Sequence, residues 1–222
     1  MGQKLFKQKY QAAEDYLGDD DYNEETYLEL MSLARLELLA YAEEALQADN
    51  EDLYSALSFD IEILQLTEDS FPETNFALIL NLIKDPRFLK SEYGWPFLMI
   101  FHSEWEKITE QQKTILLDAL AEIYEKFDDW MPCFSISELV GEDFHPSQAY
   151  SFFNKFAASP NETARAFVPH GYEHALRNSA DAELTAKLWN ALLDMEQDES
   201  EKVRGEVEET LFRLENHGLK RP

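Results

Sequence analysis

The sequence predicts an all-α fold, an array of antiparallel helical hairpins forming an α-solenoid or an irregular helical bundle. Three observations carry the prediction. Apolar residues recur at helical spacing through most of the 222 residues. Runs of Val or Ile are few, and no Asn-Gly or Asp-Gly hairpin turn occurs. Helix starts recur about every 20 residues, so two make a hairpin of about 40, the size of a HEAT or armadillo unit. The chain reads as a single helical domain over 1–222, with an acidic N-terminal part at 1–90 and a repeat-like C-terminal part at 146–217.

Helices are predicted over 4–17, 24–47, 51–67, 73–84, 95–105, 110–127, 146–158, 161–178, 181–196 and 199–216. Short turns are predicted near 86–90 and 135–140. Asn23 offers a capping oxygen before Glu24 and Glu25, whose charges suit a helix start. Helix 24–47 carries apolar side chains around most of its wheel, which predicts burial between neighbours. Helix 51–67 has Leu53, Leu57, Ile61 and Leu64 on one face; Asp60 falls within it and reads as an edge residue reaching water. Pro72 suits a first helical position, where a missing N–H costs nothing. Thr109 and Gln112 have capping-box spacing. Pro146 marks another first turn, Pro169 sits inside 161–178, and Gly218 suits a C-terminal cap.

Leu184 to Leu214, "LTAKLWNALLDMEQDESEKVRGEVEETLFRL", resembles a HEAT repeat: a first helix, a short acidic turn, then a second helix with Val203-Arg204, Val207, Leu211 and Leu214. Pro169 in the preceding helix is similar to the proline many HEAT first helices carry, and "ILNLIKDPRF" at 79–88 is similar to a first-helix ending. The first 70 residues show no such match, and Gly205 departs from the usual helix former. The resemblance implies a scaffold that binds helices or peptides in an apolar groove.

Cys133 stands alone, so neither an internal disulfide nor a cysteine-based zinc cluster is possible within the chain. With Asp128 and Asp129 beside it, it reads as a packed thiol. No apolar run reaches membrane-spanning length, and the N-terminus lacks a signal-type apolar stretch. A cytoplasmic, membrane-free location is expected.

His170-Gly171-Tyr172-Glu173-His174 spells H-x-x-E-H, a zinc-peptidase spacing. On a wheel His170 and His174 share a flank and Glu173 points away from the core, so the histidines read as surface residues. A metal-dependent hydrolase using His170 and His174 is therefore a remote alternative, and no cofactor or metal is expected. Glu142 and His145 give one E-x-x-H, whereas a di-iron bundle needs two. Asp19-Asp20-Asp21 lacks the alternation of a calcium loop.

Net charge is −26. Residues 14–83 hold 19 Asp or Glu against one cation, Arg35, a local charge of −18. Such a field disfavours nucleic acid and anionic lipid and favours a basic protein partner. The expectation is a non-enzymatic binding module, an inhibitor or immunity protein that neutralises a basic partner such as a nuclease toxin. Its contact residues are expected to be Asp19, Asp20, Asp21, Glu24, Glu25, Asp49, Glu51, Asp52, Glu68 and Asp69, brought together by hairpin turns, with Tyr22 and Tyr54 as anchors.

Overall fold

The computed structural model describes residues 1–48, 50–61, 72–89, 94–127 and 129–221. Among them every regular element is helical and there is no strand. The α-helices are α1 (Gly2–Leu17), α2 (Glu24–Gln47), α3 (Glu51–Asp60), α4 (Glu73–Lys84), α5 (Pro86–Leu89), α6 (Gly94–Ser103), α7 (Glu110–Ile123), α8 (Trp130–Asp143), α9 (Pro146–Phe156), α10 (Glu162–Asn178), α11 (Ala182–Asp194) and α12 (Glu201–Asn216). The chain divides into two compact units, residues 1–112 and 113–222.

Several local signals at helix ends are used as read, although Pro72 stands at the N-cap of α4, one residue before the first helical position expected for it. The Asn23 side chain accepts from the Thr26 N–H. Thr109 and Gln112 close a reciprocal capping box: the Thr109 N–H donates to Gln112 Oε1 at 2.9 Å, and the Gln112 N–H donates to Thr109 Oγ1 at 3.2 Å. Gly218 takes φ +80°, and the N–H groups of Gly218 and Leu219 return to the carbonyls of Glu215 and Leu214. That double return is the Schellman closure glycine permits.

In the first unit α1 lies antiparallel on α2, with the Phe6 and Tyr41 rings stacked at 6.2 Å. Arg87 closes the far end of α2. Its guanidinium donates to the carbonyls of Ala45, Leu46 and Ala48, pairs with Asp85 and covers the Tyr54 ring. Three carbonyls that a helix end leaves without intrahelical donors are satisfied by one side chain. The enclosure predicted for α2 is not what forms. Met31, Ala34, Leu38, Tyr41, Ala42 and Ala45 are buried, while Leu28, Leu33 and Leu36 are exposed. Asp60, expected at a wet edge, is buried and ion-paired with Lys7 of α1. Helix α3 runs to Asp60; the rest of the predicted 51–67 helix lies outside the described residues, apart from Ile61.

The second unit is a two-layer stack. Helices α8, α10 and α12 pack side by side in one layer; α9 and α11 form the other. Phe134 meets His170, and Glu142 meets His174, so α8 and α10 run parallel. Arg165 meets Asp198, and Glu173 meets Arg213, so α10 and α12 do too. This alternation is that of stacked helical hairpins. It corrects the reading of Pro169. Helix α10 shares its layer with α12, the second helix of the HEAT-like stretch, so its proline is not in a first-helix position.

Both expected turns are helical: the one near 86–90 is the single-turn α5, and the one near 135–140 lies within the 14-residue α8. Pro132 sits in the first turn, where its absent N–H removes no intrahelical bond, and Asp129 caps the start by accepting from the Met131 N–H. Gly141 is there for contact: an added Cβ would lie 2.6 Å from the Gly171 carbonyl oxygen and 2.8 Å from His174 Cβ. A Cβ on Gly171 would land in the Phe153 ring of α9. Gly205 on α12 has nothing within 4 Å of its Cβ position.

Gly171→Ala is therefore expected to destabilise the fold by roughly 1–3 kcal/mol through overpacking. Gly205→Ala is expected to stabilise it by about 0.5–1 kcal/mol through helix propensity. Thermal melts of the two variants beside the parent check both signs; equal shifts would refute the packing role of Gly171.

Candidate functional site

The first candidate is the acidic turn between α1 and α2. Tyr16 of α1 organises it. Its hydroxyl donates to the Asp21 carbonyl at 3.2 Å and accepts from the Asn23 N–H at 3.1 Å. The Asp21 N–H donates to Asp19 Oδ1 at 3.1 Å. Asp19, Asp20, Asp21, Glu24 and Glu25 are all exposed, and none is ion-paired among the described residues. Tyr22 is 44% exposed and stands between Tyr16 and Tyr27, with ring centroids 6.1 Å from each. Sequence reasoning found Tyr22 but not its two neighbours. Their spacing to Tyr22, six residues back and five on, has no meaning until the turn folds.

The other predicted contacts divide. Glu51 and Asp52 are exposed in the first turn of α3. They follow α2, while Asp19 to Asp21 precede it, and the 24 residues of α2 separate the two groups by about 36 Å at 1.5 Å per residue. Successive hairpin turns fall at opposite ends of a helix, so the expected single cluster does not form. Tyr54 is not a surface anchor: it is 1% exposed, and its hydroxyl donates to the Leu82 carbonyl at 2.6 Å. Asp49, Glu68 and Asp69 lie outside the described residues.

The outward face of α2 extends the acidic turn. Leu28, Leu36 and Leu33 share an arc of about 140° with Glu25, Glu29 and Glu43 at 100° per residue. The leucines are 42%, 61% and 45% exposed respectively.

The second candidate is the H-x-x-E-H stretch, and here the structure reverses the wheel argument. Every residue from Ala164 to Leu176 is buried. His170 and His174 are not surface histidines, and Glu173, expected to face solvent, is 3% exposed. The reason is position in the stack. A wheel assigns one buried face, but α10 is walled by α8, α9, α11 and α12 together. Its polar side chains must find partners inside. Arg165 pairs with Asp198 at 2.9 Å and donates to the Ser159 carbonyl at 2.6 Å. Glu173 accepts from Arg213 Nε at 2.6 Å. His174 Nδ1 lies 2.8 Å from Glu142 Oε2 of α8.

His170 is the exception. Its ring stacks on Phe134 at 4.3 Å and meets the His174 ring edge to face at 4.7 Å. Its Nδ1 is 3.7 Å from Glu173 Oε2, beyond hydrogen-bond reach. Neither ring nitrogen has a hydrogen-bond partner among the described residues.

The electrostatics follow from the enclosure. Burial, then the neighbouring His170, push His174 down to about 4 against the opposing pull of Glu142 and Glu173, so its imidazole is neutral near pH 7. Burial works against the Glu173 carboxylate, but His170 and Arg213 outweigh it and hold the group at about 2. A carboxylate so engaged is a poor general base, the role a zinc-peptidase reading would give it. Glu138, Glu142 and His174 each offer a ligand atom, all within 4.8 Å of one another.

A histidine depressed in the folded state binds its proton more readily unfolded. Its contribution to stability is complete above the unfolded value of about 6.5 and is lost as pH falls through about 4. Urea denaturation across this window is expected to show a loss of about 3 kcal/mol that His174→Gln removes. A variant with the parent's pH slope would contradict it.

No protein-family model, curated protein or solved structure matches the chain.

Proposed function

We propose that the chain is a non-enzymatic protein-binding module whose acidic turn and outward α2 face engage a basic protein partner, in the manner of an inhibitor or immunity protein for a cationic toxin such as a nuclease. The observation that carries this reading is the run of five exposed, unpaired carboxylates set against Tyr22 and three exposed leucines on one helix. Five like charges with no cation among them raise the energy of the compact state. A partner bearing Lys and Arg around an apolar patch relieves that repulsion and buries the leucines. Tyr22 suits the centre of such a contact, because an aromatic ring adds area at little entropic cost. Rim carboxylates would speed the encounter rather than set the final affinity.

A scaffold reading, in which an apolar groove holds a helix, draws on the same leucines. The charge separates the two. A basic partner loses association rate with salt; an apolar helix does not.

The test is capture of cationic proteins from the source-cell extract on the immobilised chain, followed by association kinetics of the retained partner across a salt series. Reversal of Asp19, Asp20 and Asp21 to Lys is expected to slow association roughly tenfold at low salt, and Leu36→Ser to speed dissociation. An association rate indifferent to both salt and reversal would refute the electrostatic reading.

A further inference from the structure

We propose that Glu138 and Glu142 of α8, with His174 of α10, form a site for a divalent transition cation of the zinc type, with the buried ring of His170 packed against His174 beside it. The site goes beyond the partner-binding face and lies entirely within the second unit.

Ligand chemistry is the first support. Glu138 and Glu142 are four residues apart, so both project from the same face of α8. With His174 they offer two carboxylates and one imidazole within 4.8 Å. Zinc bonds of about 2.0–2.2 Å place ligand atoms within such a triangle after small side-chain rotations. The mixed nitrogen and oxygen set suits zinc; magnesium and calcium favour oxygen alone.

His170 is an independent observation. It is 8% exposed, and neither nitrogen is partnered among the described residues. A buried polar group left so is destabilising until it gains a partner. Its position is set by its neighbours. It stacks on Phe134, one turn before Glu138, and touches His174, which meets Glu142 one turn after. Glu138 therefore sits between the two histidines along α8. A buried imidazole with no hydrogen-bond partner among the described residues therefore lies against His174, one of the three ligands.

The frame is rigid. The Gly141–Gly171 contact brings the two backbones together, and Asn178 Nδ2 donates to the Glu142 carbonyl at 3.0 Å. Sites held by fixed elements need little reorganisation to bind. A 2.8 Å polar contact now joins His174 Nδ1 to Glu142 Oε2. A cation in its place would draw in Glu138 and leave the imidazole proton on the other ring nitrogen.

The test is calorimetric titration of the chelator-stripped full chain with zinc chloride, alongside long-range nitrogen–proton spectra of the histidine rings. One zinc per chain is expected, with the His170 and His174 signals shifting together and His145 and His217 unmoved. Glu138→Gln keeps the fold, since this half-buried side chain makes no hydrogen bond or ion pair among the described residues. It is expected to weaken binding by at least the roughly tenfold that losing an outer-sphere partner costs, as is His170→Phe, which keeps the stack on Phe134. Reversal of Asp19 to Asp21 is expected to leave it unchanged. The absence of a stoichiometric site, or undiminished affinity in Glu138→Gln, would overturn the proposal.

Discussion

The enclosure of α10 is the constraint on which the second unit depends. Thirteen consecutive residues, Ala164 to Leu176, are buried, and this is possible because two glycines let neighbours approach closely. Gly171 admits the Phe153 ring on one side, and Gly141 admits the α10 backbone on the other. Asparagines fix the ends. Asn161 caps α10 and donates to the carbonyls of Glu125 and Phe127; Asn178 donates to that of Glu142. Once the helix is walled in, the fates of Arg165, Glu173 and His174 follow, because each is met by a side chain from a neighbouring segment: Asp198, Arg213 and Glu142.

Much of the fold was legible. The bounds of α2 and α4 follow from their caps and periodicity, and the Thr109 box and Gly218 closure behave as short-range chemistry dictates. What failed was every inference needing knowledge of neighbours. Helix α8 was hidden because Pro132, Ser135, Ser137 and Gly141 read locally as turn residues, whereas a first-turn proline and a contact glycine are compatible with a helix. Tyr54 looked like a surface anchor because its sequence neighbours Glu51 and Asp52 are acidic, yet its ring points inward under Arg87. The H-x-x-E-H residues were assigned to a flank because a wheel knows one core, not four surrounding helices.

The two candidate sites use acidic side chains in opposite ways. In the α1–α2 turn the carboxylates stay in water, their charges unmatched among the described residues. In the second unit Glu173 is buried against Arg213 and beside His170, where a lower dielectric strengthens each contact and raises the cost of losing it. Net charge alone cannot separate these roles; burial does.

The parallel course of α8, α10 and α12 has an electrical consequence. Each helix carries partial positive charge at its first turn and partial negative charge at its last. Stacked head to head, their dipoles add instead of cancelling, so one edge of the layer gathers N–H ends and the other gathers carbonyl ends. Glu142 and His174 lie in or beside the final turns of α8 and α10. The backbone itself therefore makes that edge electronegative, and any positive species arriving there meets a field already set by the fold before a single carboxylate moves.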